Sequence, residues 1–423
     1  MSTFQPRIAI VGGGPSGLAL GQLLHQRGIN TTIYELRPKP TQEELAKPSG
    51  MLDLHEESGL TAMRECGLWD KFQAAVGDCS ESMCVLNPGG AVLHTDEGGL
   101  ESRPEIARNA LTNLLLENVP PGMIKWNHKI TAVQSERNPT TGATEITLAF
   151  GVHGAAAYDF VVGADGAWSQ IRKLLSDAQP IYSGAQYVTA TIRHVSTRYP
   201  HLAALSGTGT MSALGHGNAL MTHRGPHDSI RLYAALSTPD EHWAATAGLQ
   251  DKTAADVKAT LLGSALLFAN WAPALRDLLA TACDDETRAN PGAAPDIKPY
   301  YMLPVGHRWD HRTGATLIGD AAHLMTPWAG EGVNLALWDA LDLARVLLGG
   351  PVGTDTDAAL WQGALDPRLR EFEKDMLSRA QQKASETDEN RKMFLSEDGA
   401  ERMAGFFKAF YDMASAEGVV QAH

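Results

Sequence analysis

Apolar and polar positions alternate in two distinct ways along this chain. In the first 175 residues and again near 315–350, short continuous apolar runs alternate with amphipathic stretches of helical period. Residues 7–11, RIAIV, form a β-branched run with no polar break, which predicts a strand buried on both faces. GGGPSG follows, then LALGQLLHQRG, with Leu18, Leu20, Leu23 and Leu24 on one helical face and Gly28 as the stop. Residues 30–35, NTTIYE, predict the next strand, which completes a βαβ unit of about 30 residues. Residues 37–50 read as a loop, 57–76 and 104–117 as helices, and 128–150 and 157–163 as short strands.

Between 180 and 240 the pattern changes. QYVTATIRHV, NALMTH and SIRLYAALS alternate between apolar and polar residues and are separated by Gly, Pro and His-rich turns. That predicts an antiparallel sheet with one open face. Residues 241–290 read as mostly helical, ATLIGD at 315–320 as another buried strand, and 332–348 as a helix. After a Gly/Pro/Asp-rich linker at 349–358 come a long charged helix over 364–395 and a further one to 415. The charged helix reads as a solvated face over an apolar stripe. The expected fold is α/β: a Rossmann-like domain, a substrate domain built on an antiparallel sheet, and a C-terminal helix. The expected boundaries are 1–75, 100–175 and 291–360 for the first domain, 76–99 and 176–290 for the second, and 361–423 for the helical end.

Composition narrows the function. Lys plus Arg number 35 against 49 Asp plus Glu, a net charge of −14, which argues against a nucleic-acid partner and against an anionic membrane surface. Four cysteines without a CxxC give neither a disulfide framework nor a zinc ribbon and suggest a reducing compartment. No apolar run is long enough for a transmembrane helix, and only MSTFQP precedes the first strand, so a cytoplasmic protein is expected.

Three motifs carry chemistry. Gly12-Gly13-Gly14-Pro15-Ser16-Gly17 is GxGxxG, placed between a strand and a helix. Gly12 allows the tight turn, Gly14 lets the backbone approach a pyrophosphate, and Gly17 lets the helix pack on the strand. Glu35, at the end of the second strand, stands where a carboxylate binds ribose hydroxyls. The second motif is Asp165-Gly166-Ala167-Trp168-Ser169-Gln170-Ile171-Arg172, a strand-end turn in which Ser169 could cap a helix. The third runs from Gly319-Asp320-Ala321-Ala322-His323 through Pro327-Trp328-Ala329-Gly330-Glu331-Gly332-Val333-Asn334. Asp320 ends a buried strand, the place where open α/β sheets bind ligands. Gly330 and Gly332 permit close backbone approach to a flat ligand at the start of a helix. His307 and His311 are four apart, but Pro304 and Gly306 argue against a helix there, and no metal site is expected. His323 reads as a structural histidine.

In this order the three motifs resemble the class A flavin-dependent aromatic hydroxylases with the para-hydroxybenzoate hydroxylase fold. Gly50-Met51-Leu52-Asp53-Leu54-His55, GDAAHLM and AGEGVN look closest to the tetracycline-inactivating members. The resemblance implies FAD held by Gly12, Gly14, Ser16, Gly17, Glu35, Arg37, Asp53, Arg108, Asp165, Asp320, Pro327, Gly330, Gly332, Val333 and Asn334. It implies NADPH or NADH as reductant, with Lys47 as a candidate phosphate contact, and O2 as co-substrate. The reaction implied is hydroxylation of a flat polycyclic phenol or enol, tetracycline-like or polyketide-like, through a flavin C4a-hydroperoxide. Thr189, Met221 and Tyr233 stand where the tetracycline contacts of that subgroup are expected, and Trp328 beside the flavin ring. Region 186–236 departs most from that subgroup, so the resemblance implies the wider class of flat polycyclic phenols or enols and does not single out tetracycline. A halogenase or another oxidoreductase on the same fold, or a non-catalytic flavoprotein, is the alternative. Halogenases carry a Trp-x-Trp signature, and no two of the nine tryptophans here are two apart.

Overall fold

Residues Ile8–Val11 are buried at every position and lie at the centre of a five-stranded parallel sheet in the computed structural model, which describes residues 4–76, 79–98, 103–349 and 356–416. The strand order is Ala315–Leu317, Phe160–Gly163, Ile8–Val11, Thr31–Tyr34, Ile124–Lys125. The first four are strands that the sequence predicts, and three of them are continuous apolar runs or nearly so. A parallel sheet sandwiched by helices needs this composition. The helix Pro15–Gln26 packs against the helix Gly332–Leu348 on one face. A three-stranded antiparallel sheet (Ala132–Arg137, Thr144–Ala149, Ala155–Tyr158) lies beside them.

The second sheet has seven strands, in the order Asp296–Met302, Ile181–Ile192, Ser229–Ser237, Asn218–Gly225, Thr210–Gly215, Met83–Leu86, Val92–Asp96. All neighbours are antiparallel except Thr210–Gly215 with Met83–Leu86. One face, with Val188, Ala190, Leu232 and Ala234, packs on the helices Ala254–Gly263 and Pro273–Ala289. The other face carries Tyr187, Thr189, Met221 and Tyr233. Its far end, at Ala185, Leu214, Ala219 and Ala235, packs on Trp328, Leu395, Ala400 and Met403. The helix Ala358–Phe394 runs 37 residues, buries Trp361, Leu365, Leu369 and Phe372 in the first core, and is followed by the helix Gly399–Ala416.

Four local expectations need correction. Residues 37–50 contain a short helix, Gln42–Leu45, nucleated by a reciprocal capping box between Thr41 and Glu44. The helix expected over 57–76 is broken. A π-helical turn at Glu56–Leu60 leads into Thr61–Glu65, and Gly67 at φ +68 separates that from Trp69–Ala75. In 104–117, Glu105–Ala107 is a strand paired with Met51–Asp53, and the helix starts at Arg108. Asp296–Met302 joins the second sheet, so the boundary at 291 falls one strand early. Pro299 sits on the sheet's edge strand, where a missing N–H donor is tolerated. The 350–355 part of the linker lies outside the described residues.

Candidate active site

The Gly-rich turn is shaped by backbone contacts. Gly12 adopts φ +114, and a Cβ there would lie 2.0 Å from the Ala164 carbonyl oxygen; a Cβ on Gly17 would lie 2.1 Å from the Gly12 carbonyl oxygen. Neither position admits a side chain. A Cβ on Gly14 would meet nothing within 4 Å, so the backbone at the mouth of the helix Pro15–Gln26 faces open space. The helix has no side-chain cap at its start, which leaves its N–H groups available to an anion. Glu35 holds the turn from the side. Its carboxylate accepts from Gly13 N at 2.8 Å and from Arg37 N at 2.9 Å. The Arg37 and Lys47 side chains are exposed.

A second group of residues meets where the two sheets join. Asn334, 1% exposed, donates from Nδ2 to the Asp53 carbonyl at 2.9 Å, and its Oδ1 accepts from His55 N at 2.9 Å and Ser58 Oγ at 3.2 Å. Its amide is thus spent on holding the Asp53 segment. Asp53 pairs with His55 Nε2 at 2.9 Å, and Gly330 packs against it: a Cβ there would lie 3.2 Å from Asp53 Oδ1. Burial works against the Asp53 charge, but His55 outweighs it and holds the carboxyl below its usual range. Arg108 N donates to the Gly50 carbonyl at 2.8 Å, and its guanidinium stands near Asp320 and three tyrosines.

The two motif aspartates behave differently. Asp165 turns its carboxylate onto its own loop, accepting from Ser169 Oγ and from the N–H groups of Gln170 at 2.7 Å and Ile171 at 3.4 Å. It shapes the loop and has little left for a direct ligand contact. The loop does not become an α-helix. Ser169 Oγ accepts from Arg172 N at 2.9 Å, and only the short turn Arg172–Leu174 follows. Among the described residues, Asp320 has no hydrogen-bonded partner on its side chain. The residue is exposed, yet protein crowds round its carboxyl in the cleft, and this burial pushes its pKa up against the pull of His323 and Arg108. Ser16 lies next to this turn, 3.1 Å from where a Gly319 Cβ would be.

On the second sheet, Thr189, Tyr233 and Met221 are direct cross-strand partners on three adjacent strands and form one row. Gly50 closes against this row, since a Cβ there would come 2.6 Å from the Tyr233 hydroxyl. Three further residues carry no sequence signal of their own. Tyr187 and Tyr300 stack at 4.3 Å between ring centroids. Arg231 donates to Thr189 Oγ1 at 2.6 Å and Thr191 Oγ1 at 2.8 Å, its Nε is buried without a partner, and among the described residues it forms no ion pair with a carboxylate. Burial pushes the Tyr187 phenol up to about 12 and raises those of Tyr233 and Tyr300, so all three are hydrogen-bond donors at neutral pH.

Trp328 is placed differently from the expectation. It is 7% exposed and packs edge-on against Tyr300 at 6.1 Å and Phe394 at 5.5 Å, inside the layer between the sheet and the C-terminal helices. It backs the tyrosines and does not line the cleft surface, whereas Pro327 and Gly330 are exposed there. His311 is bound to Glu373 at 2.8 Å and Asp366 at 3.2 Å. Among the described residues no cluster of His, Cys, Asp and Glu could hold a metal, and no helix is long and apolar enough to cross a membrane.

Known proteins share both the sequence and the fold. The model of the FAD binding domain family matches residues 6–214 and 307–360. The monooxygenase penA of Penicillium thymicola is 34% identical over 440 residues, spanning 96% of this chain and 99% of penA. Klebsiella pneumoniae HpxO, solved with FAD and uric acid, superposes with a TM-score of 0.73 at 19% identity, covering 98% of this chain and 95% of HpxO. The tetracycline destructase Tet(55) gives 0.68 at 16% identity, covering 99% and 98%. At those identities the two solved structures show the fold alone. The family match over more than half of the chain and the likeness to penA along nearly all of it show that the chain belongs to the FAD-binding family and is an FAD-dependent monooxygenase.

Proposed function

We propose that this monooxygenase hydroxylates a flat, fused-ring phenol or enol with O2 and NAD(P)H, and that the ring presents an ionised oxygen to Arg231. The observation that carries this reading is the open sheet face itself. Tyr187 and Tyr233, both neutral, stand by the Arg231 guanidinium, which no carboxylate neutralises among the described residues, and Tyr300 stacks on Tyr187. A half-buried cation whose Nε is buried without a partner or counter-ion carries a desolvation cost, and an anionic ligand removes part of it. The tyrosine rings offer flat apolar contact together with O–H donors.

The residues present fit FAD. The open space at Gly14 and the uncapped helix start suit the pyrophosphate, with Gly12, Gly17 and Ser16 shaping the turn. Glu35 suits the adenosine ribose, with exposed Arg37 beside it. At the other end, Asp320 and Arg108 would hold the flavin half, and Pro327, Gly330, Gly332 and Val333 would let backbone approach the ring. Asn334 contributes through its grip on Asp53, and Asp165 through the loop it shapes. When bound, FAD supplies the electron transfer and oxygen activation that no side chain here can. The protein's part is to orient the ring and keep it dry. Met221, Tyr300 and the layer of Trp328 and Phe394 behind them supply the apolar wall. An ionised ring oxygen enriches the neighbouring ring carbons in electrons, which favours oxygen transfer to them. Lys47 is the candidate contact for a reductant phosphate.

The test is a screen of fused-ring phenols and enols, tetracyclines included, for stimulated NAD(P)H consumption by the purified holoenzyme. A stimulating compound whose product is one oxygen heavier supports the reading. If none stimulates consumption, or if all consumption ends as hydrogen peroxide, the substrate class is wrong.

A further inference from the structure

Beneath the turn that presents Asp320 lies a buried ion pair that needs an explanation of its own. Gly319 adopts φ +60, and a Cβ there would lie 3.1 Å from Ser16 Oγ and 3.3 Å from Ala336 Cβ. Its N–H donates to Asp339 Oδ2 at 2.9 Å. The same oxygen pairs with His323 Nε2 at 2.6 Å. The Asp339 and His323 side chains are 1% and 6% exposed. Among the described residues the other oxygen of Asp339 has no hydrogen bond, and the one cation paired with it is Arg379 Nη2 at 3.8 Å. Arg379 comes from the long C-terminal helix, sits over the Trp338 ring at 4.5 Å and pairs with Asp342 at 3.1 Å. A carboxylate at this depth persists only if it is paired. Here its partners are a backbone N–H beside Asp320, an imidazole three residues further on, and a cation from a separate helix.

We propose that Asp339 is a positioning residue for the cofactor: with His323 and Arg379 it fixes the Gly319–Asp320 turn so that the Asp320 carboxylate meets the flavin half of FAD, and cofactor affinity thereby depends on a proton held one layer below the site. The charged and titratable groups facing His323 come from four sides. They are Asp339 on one helix, Arg379 on the C-terminal helix, with which Asp342 also pairs, His307 across a small cavity with Arg172 beside it, and Asp320 on its own turn. Burial opposes the His323 charge, but Asp339 and then Asp320 outweigh it, so this imidazole titrates above its ordinary range. Burial, with Arg172 and His323 adding to it, lowers the His307 pKa. A raised imidazole pKa means that the pair is intact at low and neutral pH and is lost as pH rises through the folded-state value of His323. Asp320 has a raised carboxyl pKa, so its own contribution is lost on the acid side. FAD affinity should therefore fall at both ends of the pH range, and only the alkaline fall belongs to Asp339.

The experiment titrates FAD into the full-length apoprotein by flavin fluorescence, from roughly pH 5 to 9.5, with melting recorded alongside. The wild type should lose affinity in the alkaline limb. Asp339→Asn keeps the size and an acceptor for Gly319 N–H but removes the charge. At neutral pH it should bind FAD about ten- to hundredfold more weakly, show no alkaline limb and keep the acid one. His323→Gln keeps a donor to Asp339 that does not titrate; it should lose the alkaline limb as well, and it decides the matter if the Asp339 variant does not fold. A merely structural role would lower melting without altering the pH profile. A wild type with no alkaline limb, or folded variants that retain it, overturns the proposal.

Discussion

Gly14→Ala should separate the cofactor from the fold. Gly14 has φ −81 and ψ 179, an extended conformation that alanine adopts freely, and its Cβ would meet no atom within 4 Å. The apoprotein should therefore be unharmed, or gain about 0.4–1 kcal/mol from the lower entropy of its unfolded chain. The added methyl does, however, occupy the space through which a pyrophosphate reaches the helix N–H groups. Losing one charge-assisted hydrogen bond costs about 1.5–3 kcal/mol, and a weakened helix-end attraction about 0.3–1 more. Together these weaken FAD binding by about twenty- to thousandfold. Gly12→Ala is the contrast, because its Cβ would sit 2.0 Å from a backbone oxygen and the residue at φ +114. That variant should lose the fold itself. The assay is thermal melting of both apoproteins plus FAD titration by fluorescence quenching. A Gly14→Ala apoprotein that melts several degrees below wild type, or that binds FAD within about threefold of it, would refute the reasoning.

Three further outcomes follow from the site. Arg231→Met should raise KM about ten- to hundredfold for an ionised substrate while leaving FAD content unchanged, and an equal loss for a neutral analogue would contradict the charge argument. Trp328→Ala should cost about 3–5 kcal/mol of stability in a denaturant titration, because the ring is buried among Tyr300, Phe394 and the C-terminal helix; FAD affinity should hold, and an unchanged unfolding midpoint would place the ring elsewhere. Burial opposes the His311 charge, but Asp366 and Glu373 raise its pKa to about 9. Its stabilisation is therefore complete below the ordinary imidazole value and fades as pH rises through about 9. Wild-type melting should decline across that window, His311→Gln should melt lower at mildly acidic pH with a shallower decline, and parallel profiles would speak against the pairing.

The parts legible in the sequence are those fixed by local rules. Ile8–Val11 and Phe160–Gly163 carry no polar residue, as strands covered on both faces require, and Gly12 and Gly17 stand where backbone oxygens leave no room for a side chain. Thr189, Met221 and Tyr233 proved to share one row, because a period of two fixes the face once the strands pair in register. The strand Asp296–Met302 was hidden by Pro299, and with it Tyr300, which stacks on Tyr187. Arg231 looks like any half-exposed strand residue until its partners are known. The bond from Gly319 N to Asp339 joins residues from separate elements, and nothing in their local sequence announces it. The two glycines after Trp328 point it toward the cleft, but the turn Pro327–Ala329 directs its ring back into the packed layer.

The central claim is that this FAD-dependent monooxygenase places one atom of O2 on a fused-ring phenol or enol. The most direct measurement is turnover of a stimulating compound from the screen under oxygen-18 gas, with the product mass and the NAD(P)H consumed determined together. The account predicts one oxygen-18 atom in each product molecule and one NAD(P)H oxidised for it. A product whose new oxygen comes from water, or NAD(P)H consumed with hydrogen peroxide as the sole oxygen product, would contradict it.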